Sequence, residues 1–290
     1  MRRAFASLAL IFALIGQPAK LEAHVIGKDD RTYLNDEEET RFSAIGKVFC
    51  RDPSDPNLKH WTTGTLVGDQ TTVFTSGHFG VRPQSRKRGA HIFPLEHCEF
   101  RIYAPDGGKF SDGYAYKRFA IAGATRAQPP DSYVDYKADR ADWAIITLSG
   151  SGVGASLARP INVRTASLDQ LVAEPEAFLI AYHDGIERID PDQRVRSPDC
   201  AIRRDSRSSD DSWFLLSCDT NKGSSGGLIF ARDASDELVA LGFATADRLA
   251  KSRDRNNYGQ PFTPDVLALI PSAAIPFTPK PQDLSVARII

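Results

Sequence analysis

The segment with the clearest chemical potential is residues 221–227, whose sequence is NKGSSGG. It places Ser225 in the order Gly-x-Ser-Gly-Gly, which presents a hydroxyl nucleophile beside backbone amides. Gly223 permits a main-chain conformation that is closed to residues with a Cβ. In that conformation the amides of Gly223 and Ser225 point toward one place, where an acyl-transfer intermediate carries its negative oxygen. Glycine-rich serine segments are also common in turns, so the partners of Ser225 must decide between the two interpretations.

The candidate base is His78. A serine hydroxyl is a weak nucleophile and requires a base within hydrogen-bonding reach, which is itself oriented by a third group. The chain has six histidines, and all of them precede Ser225. This order excludes the nucleophile elbow of the α/β-hydrolases, in which the histidine follows the serine. His78 follows the apolar, β-branched run VFTSG at residues 73–77, which predicts the end of a buried strand.

The candidate acid is Asp142, which opens the apolar run WAIITL at residues 143–148. A carboxylate that orients a histidine must be rigidly held and partly buried, and the start of a buried strand meets both needs. Asp131, Asp135 and Asp139 lie in a polar stretch that is typical of solvated loops. We therefore expect Asp142 to hold the correct tautomer of His78 and to stabilise the imidazolium that forms during reaction.

With these three residues in the order His, Asp, Ser, the chain resembles the trypsin/chymotrypsin-like serine proteases. The sequence VIGKDDR at residues 25–31 and CDT at residues 218–220 are similar to the bacterial glutamyl endopeptidase subgroup. The resemblance implies an all-β fold of two six-stranded antiparallel β-barrels, with the active site in the cleft between them. It also implies an oxyanion hole formed by the amides of Gly223 and Ser225, and no cofactor.

The residues beside the nucleophile leave the specificity open. Asp219, six residues before Ser225, matches by spacing the pocket-floor aspartate of trypsin, but it also matches a subgroup aspartate that does not bind basic substrates. Ala244 and Thr245 match the strand that lines the specificity pocket. Ala244 stands where Glu-preferring members carry a histidine. The sequence therefore predicts a substrate pocket with these three residues and leaves its preference undecided.

The leading functional hypothesis is a secreted or periplasmic serine endopeptidase that acts on polypeptides through an acyl-enzyme. One alternative is a protease-like binding protein that has lost turnover, because Leu228 stands where the larger family usually has proline. Another alternative is an esterase that uses the same three residues, which the motifs do not exclude.

Composition limits the partners. The chain has 290 residues, 41% of them hydrophobic, and a formal net charge of −1. Such a length supports a large core and one or two domains. Near-neutrality gives no support to nucleic-acid binding, and no Cys/His spacing fits a zinc site. We expect a monomer.

The N-terminus and the cysteines predict export. Residues 1–23 have the positive start, apolar stretch and small-residue junction of a secretory signal, and no later run is long enough to span a membrane. Four cysteines in an exported chain predict two disulfides with three possible pairings. Cys200–Cys218 is favoured because it would fix the approach to residues 221–227, which we call the nucleophile segment. Cys50–Cys98 then remains as the second pair.

Short apolar runs separated by Gly, Pro, Asp and Ser clusters recur from residue 41 onward, which is typical of an all-β protein. We predict a first barrel at residues 24–150 and a second at 151–258, joined near residues 149–159. Residues 259–290 are predicted to form a Pro-rich extension with a short helix near residue 265.

Overall fold

The chain folds into two halves that are each built on one β-sheet. The computed structural model describes residues 25–26, 28–83, 90–104, 116–129, 141–173, 176–186, 188–206, 212–232, 237–247 and 257–271. Within these ranges it contains sixteen strands and three short α-helices. The predicted signal, residues 1–23, and the end of the predicted extension, residues 272–290, lie outside the described residues.

The first half is a closed barrel of six antiparallel strands. In spatial order they are β2 (Ile45–Arg51), β3 (Lys59–Leu66), β4 (Thr72–Ser76), β9 (Trp143–Leu148), β8 (Tyr116–Arg126) and β7 (Cys98–Tyr103). A small hairpin of β5 (Val81–Pro83) and β6 (Ala90–Ile92) follows β4, and a single turn of 3-10 helix covers Leu95–His97. Closure leaves this sheet with no free edge.

The second half is a curled sheet of eight antiparallel strands. In spatial order they are β1 (Thr32–Tyr33), β11 (Arg194–Ser197), β10 (Phe178–Tyr182), β14 (Leu228–Arg232), β15 (Leu238–Asp247), β16 (Asn257–Pro261), β13 (Phe214–Leu216) and β12 (Ile202–Arg204). The chymotrypsin-type two-barrel fold is thereby confirmed. The second sheet has eight strands where the resemblance implied six, because the very short strands β1 and β12 extend its two edges.

The chain does not divide between the halves at a single point. Strand β1 pairs with β11, so Thr32 and Tyr33 belong to the second sheet although they precede the first barrel. Strand β16 extends to Pro261, beyond the predicted boundary at residue 258. The three helices are α1 (Asp36–Arg41), α2 (Leu168–Val172) and α3 (Pro264–Leu267). Helix α3 begins where Thr263 accepts a hydrogen bond from the Val266 amide.

Both disulfides join the predicted cysteines. Cys50 and Cys98 are directly opposed on β2 and β7 of the first barrel. Cys200 and Cys218 lie in the second half, just before β12 and just after β13. The pairing favoured from the sequence is therefore the one observed.

The two halves share an apolar core. Phe74 on β4 packs edge-on against Phe243 on β15 and against Phe262, with ring centroids 4.7 and 4.8 Å away. Burial of such aromatic side chains is a large part of what holds the halves together. Among the helices described, none is long and apolar enough to cross a membrane.

Candidate active site

The register of the first barrel brings His78 and Asp142 to the same end of two neighbouring strands. Ser76, the last residue of β4, is opposite Trp143, the first residue of β9. The chain leaves β4 toward His78 at the edge where Asp142 enters β9. Two motifs 64 residues apart in sequence are thus joined by one pair of antiparallel strands.

Asp142 holds His78 by two hydrogen bonds. Its Oδ2 lies 2.9 Å from His78 Nδ1, and its Oδ1 accepts a 3.0 Å hydrogen bond from the His78 amide. Because a carboxylate only accepts, the neutral imidazole carries its hydrogen on Nδ1 and its lone pair on Nε2. Asp142 is 1% exposed, whereas the His78 side chain is 15% exposed. The arrangement suits a base whose Nδ1 is fixed by a buried carboxylate while part of the ring is exposed.

Two further residues support this pair, and sequence reasoning missed both. Gln260 on β16 accepts a 3.0 Å hydrogen bond from the Asp142 amide through Oε1. Arg126 on β8 donates to the carbonyl of Gly77 and, at 2.8 Å, to that of Phe79, so it clamps the turn around His78. Both contacts join residues that are far apart in the chain, and no local pattern marks them.

The glycines of the nucleophile segment are required by its surroundings. Gly223 and Gly226 have φ values of +89° and +83°, a region that favours glycine. A Cβ on Gly223 would lie 2.8 Å from Trp61 Nε1. A Cβ on Gly226 would lie 2.3 Å from the carbonyl oxygen of Thr63 and 2.8 Å from the Ser76 amide nitrogen. The segment is therefore pressed against β3 and the end of β4, two residues before His78.

The backbone amides of the segment divide into two groups. Ser224 donates to the carbonyl of Asn221 at 2.9 Å, Gly226 to that of Ala244 at 2.8 Å, and Gly227 to that of Ser224 at 2.8 Å. The amides of Gly223 and Ser225 find no acceptor in the described part of the chain. Since unpaired backbone N–H groups are rare inside proteins, this pair is available to an external oxygen. These are the two amides predicted to stabilise an oxyanion.

Thr63 on β3 ties the segment to the first barrel. Its amide lies 2.9 Å from the carbonyl oxygens of both Gly223 and Ser225, and its Oγ1 donates to the Gly223 carbonyl at 2.8 Å. The same Oγ1 accepts a 3.0 Å hydrogen bond from the Tyr182 amide. Gly223 and Ser225, the two residues whose amides have no acceptor among the described residues, are thus both held through their carbonyls by Thr63.

The structure brings all three predicted catalytic residues to the junction of the two halves. His78 and Asp142 are in direct contact, and Ser225 is partly exposed on the adjoining segment. No direct hydrogen bond joins the Ser225 hydroxyl to His78 in this structure. Such contacts are often long in unliganded hydrolases and tighten when substrate binds.

The predicted pocket residues are buried behind the nucleophile segment. Ala244 exchanges backbone hydrogen bonds with Gly226 and Gly227, both 2.8 Å, which aligns β15 with the segment. Thr245 is 1% exposed and Asp219 is 2% exposed. Asp219 Oδ1 accepts a 2.7 Å hydrogen bond from the amide of Ile26, and burial raises the pKa of its carboxyl group. Asp219 therefore contacts the N-terminal segment of the chain itself.

That N-terminal segment is fixed by a buried ionic network. Arg31, 4% exposed, bonds to Asp29 through Nε at 2.8 Å and lies 3.1 Å from His183 Nδ1 through Nη1. Burial and the neighbouring Arg31 charge lower the pKa of His183 to about 3. His183 is therefore a neutral core residue in the second half.

Comparison with known proteins shows what fold the chain has. Neither a family profile nor a curated protein matches the sequence. Among solved structures, a Glu endopeptidase in complex with MPD is similar with a TM-score of 0.56 and 16% identity, over 84% of this chain and 96% of that one. The protease Anisep from Arthrobacter nicotinovorans is similar with a TM-score of 0.52 and 16% identity, over 77% of this chain and 91% of that one. The chain thus has the fold of these bacterial proteases.

Proposed function

We propose that this chain is an exported serine endopeptidase that hydrolyses polypeptides through an acyl-enzyme on Ser225. The observation that carries the proposal is the pair of unengaged amides at Gly223 and Ser225 on the segment next to the Asp142–His78 pair. Neither feature is needed for a turn, but together they supply the oxyanion site and the base that acyl transfer requires. The fold shared with bacterial proteases supports the same reaction class.

The residues have distinct roles in this reaction. His78 Nε2 accepts the proton of the Ser225 hydroxyl as Oγ attacks the scissile carbonyl. The carbonyl oxygen becomes negative and receives hydrogen bonds from the two amides. His78 then gives the proton to the leaving amine, and water repeats the sequence to release the acyl group. Asp142 stabilises the imidazolium throughout without taking the proton.

Labelling with a fluorophosphonate tests the proposal. We expect one phosphonyl adduct per wild-type molecule, located at Ser225 by peptide mass spectrometry, and none on Ser225→Ala. Ser224→Ala is the matched control, since Ser224 is 4% exposed and bonds to Asn221. A folded wild-type protein that is never labelled would exclude the mechanism. Cleavage of peptides together with small esters separates an endopeptidase from an esterase.

The role of Asp219 within this function is structural. A buried carboxylate that already accepts the Ile26 amide is a poor floor for a basic substrate side chain. We expect Asp219→Asn to retain the wild-type preference in a peptide library. Loss of cleavage after Lys and Arg in that variant would instead assign Asp219 to substrate recognition.

Export is the remaining part of the proposal. Two disulfides are expected in an oxidising compartment outside the cytoplasm. Mass spectrometry of the secreted or periplasmic protein would give its mature N-terminus, which we expect near residue 24. Recovery of the full-length chain from the cytoplasm alone would contradict it.

A further inference from the structure

Strand β3 forms one border of the nucleophile segment. The Trp61 indole lies against Gly223, and Thr63 holds the segment's carbonyls. His60 precedes Trp61 and is opposite Cys50 of the first disulfide. Gly80, just beyond His78, packs on the same disulfide, since a Cβ there would lie 3.5 Å from Cys50 Sγ. His60 is thereby placed between the nucleophile segment and the turn that follows His78.

Two cationic side chains share this place. Lys222 directly precedes Gly223 and is exposed, while its main chain is fixed by bonds to Asn221 Oδ1 and from the Asp184 amide, both 2.8 Å. Arg82 lies on β5 and donates to the carbonyl of Asn57 at 3.1 Å, in the turn before β3. Because Gly223 lies against Trp61 and Asn57 lies two residues before β3, both cations border the start of β3, where His60 lies.

These cations lack acidic partners. In the described part of the chain, neither Lys222 nor Arg82 forms an ion pair with a carboxylate. The acidic residues of the nearby turn are Asp52 and Asp55, and their side chains bond to Ser54 and Asn57. Asp52 Oδ2 also lies 3.9 Å from Nε2 of His91, which is on β6. Lys222 and Arg82 are therefore two cations near the base without a direct carboxylate partner among the described residues, and a carboxylate of the substrate can pair with them.

His60 is the buried side chain beside these two cations. Its Nε2 is buried and has no hydrogen-bond partner among the described residues. Burial, together with the cations around it, lowers the pKa of His60 to about 3, so the ring is neutral at physiological pH. The neutral ring adds no charge of its own, so the preference for an anion at this place comes from Lys222 and Arg82.

We propose that Lys222 and Arg82, beside the buried ring of His60, form a subsite for a carboxylate side chain of the polypeptide substrate, on the leaving-group side of the scissile bond. The side follows from the two borders of the nucleophile segment. The predicted acyl pocket adjoins Ala244 on β15 of the second half, and β3 belongs to the first half. The enzyme therefore prefers Asp or Glu at the first or second residue after the cleaved bond. This inference rests on the proposed function.

Transfer of the acyl group to an added amine measures the preference on the leaving-group side independently of binding in the acyl pocket. A small activated ester, which has no amino acid on its leaving side, generates the acyl-enzyme. An added dipeptide amide then competes with water: its amine attacks the ester carbonyl, His78 takes the amine proton, and the bond to Ser225 Oγ breaks as His78 reprotonates that oxygen. The ratio of peptide product to acid product reports leaving-side binding alone and is internal to each variant.

Dipeptide amides with Glu, Gln or Lys at the first or second position are compared. For the wild type we expect Glu to give about ten times the ratio of Gln at one of the positions, and Lys to give the lowest ratio. Lys222→Gln combined with Arg82→Gln should reduce the Glu advantage to less than about twofold. Arg41→Gln on α1, an exposed cation paired with Glu37, should retain it.

The outcomes distinguish the two levels of the proposal. Equal ratios for Glu and Gln in a wild type that forms the acyl-enzyme would overturn the subsite and leave the endopeptidase intact. A Glu advantage that survives the double substitution would assign it to other residues and also overturn the subsite. Failure to form any acyl-enzyme would overturn the endopeptidase proposal, and the subsite with it.

Discussion

The two halves of the molecule hold their parts of the site in different ways. The first is a closed barrel, and the register of β4 with β9 brings His78 and Asp142 together, with support from Arg126. The second is an open sheet, and its nucleophile segment is held by Thr63 from the other half, by a disulfide five residues before Gly223, and by contact of Asp219 with the N-terminal segment. A pair set by sheet register depends on few contacts, whereas a segment set by tethers depends on each of them.

The strongest test of the register-held pair is Asp142→Asn. The amide has the shape of the carboxylate but stabilises neither the required tautomer nor the imidazolium, so we expect kcat to fall by about 10⁴-fold. Since the strands on either side are unchanged, the thermal midpoint should fall by only a few degrees. Steady-state hydrolysis and circular dichroism measure the two effects. Unfolding of the variant would show that the barrel needs this carboxylate for more than chemistry.

The ion pair between Lys47 and Asp192 joins the two halves, and its loss should reduce the stability of the protein most. Lys47 on β2 is 3% exposed; its Nζ lies 2.5 Å from Asp192 Oδ1 and near the rings of Trp61, Tyr116 and Tyr182. Asp192→Ala would leave a buried ammonium unpaired and should cost about 3–5 kcal/mol in the free energy of unfolding. Denaturant titration measures it.

A surface ion pair is the control for that experiment. Asp169 and Arg204 lie 2.6 Å apart with exposed side chains. Asp169→Ala should change the free energy of unfolding by less than about 1 kcal/mol. Similar losses for Asp192→Ala and Asp169→Ala would mean that the cross-half pair contributes no more than a surface pair.

The two disulfides are expected to rank differently in their effects on stability and on activity. Removing Cys50–Cys98, whose cysteines are separated by 48 positions in sequence, should cost about 4 kcal/mol in the free energy of unfolding. Removing Cys200–Cys218, with a separation of 18 positions, should cost about 3 kcal/mol. The second removal should nevertheless reduce kcat more, because it loosens the approach to the nucleophile segment. Double Cys→Ala variants, measured by denaturation and by hydrolysis, test this inversion. Larger losses of both quantities from the first removal would contradict it.

Among the contacts that hold the two halves of the site, the smallest effect is expected from Thr63→Val. It removes the hydroxyl that bridges the Gly223 carbonyl and the Tyr182 amide and should cost about 1–3 kcal/mol, with a fall in kcat. Thr65→Val on the same strand is a matched control, since Thr65 Oγ1 is buried without a partner among the described residues. That variant should be as stable as the wild type or more so. Equal free energies of unfolding and equal kcat values for the two variants would show that the Thr63 hydroxyl does not hold the nucleophile segment.

The sequence predicted what is encoded locally. His78 and Asp142 each lie beside an apolar strand, and Ser225 lies among glycines that its neighbours require, so short motifs marked all three. Strand β9 was placed at its observed bounds of Trp143–Leu148.

The sequence did not predict elements that depend on distant partners. Strand β8 was missed because only its first residue, Tyr116, is buried and its other apolar positions are mostly alanine and glycine. Strand β16 was missed because its sequence, NYGQP, reads as a turn, although all five residues are buried. Gln260 in this strand supports Asp142, and its partner lies 118 residues away in sequence.

The pairing of β1 with β11 has a consequence for how the molecule is made. Thr32 can pair with Arg196 only after Arg196 has been synthesised. In the same way, the Ile26 amide can bond only later to Asp219, which follows it by 193 residues. The first barrel can close during synthesis, whereas the first described residues are placed only after most of the second sheet has emerged. Long-range pairings of this kind are slow to form. The nucleophile segment should therefore be among the last parts of the protein to become ordered, so that the proposed active site is completed only at the end of folding.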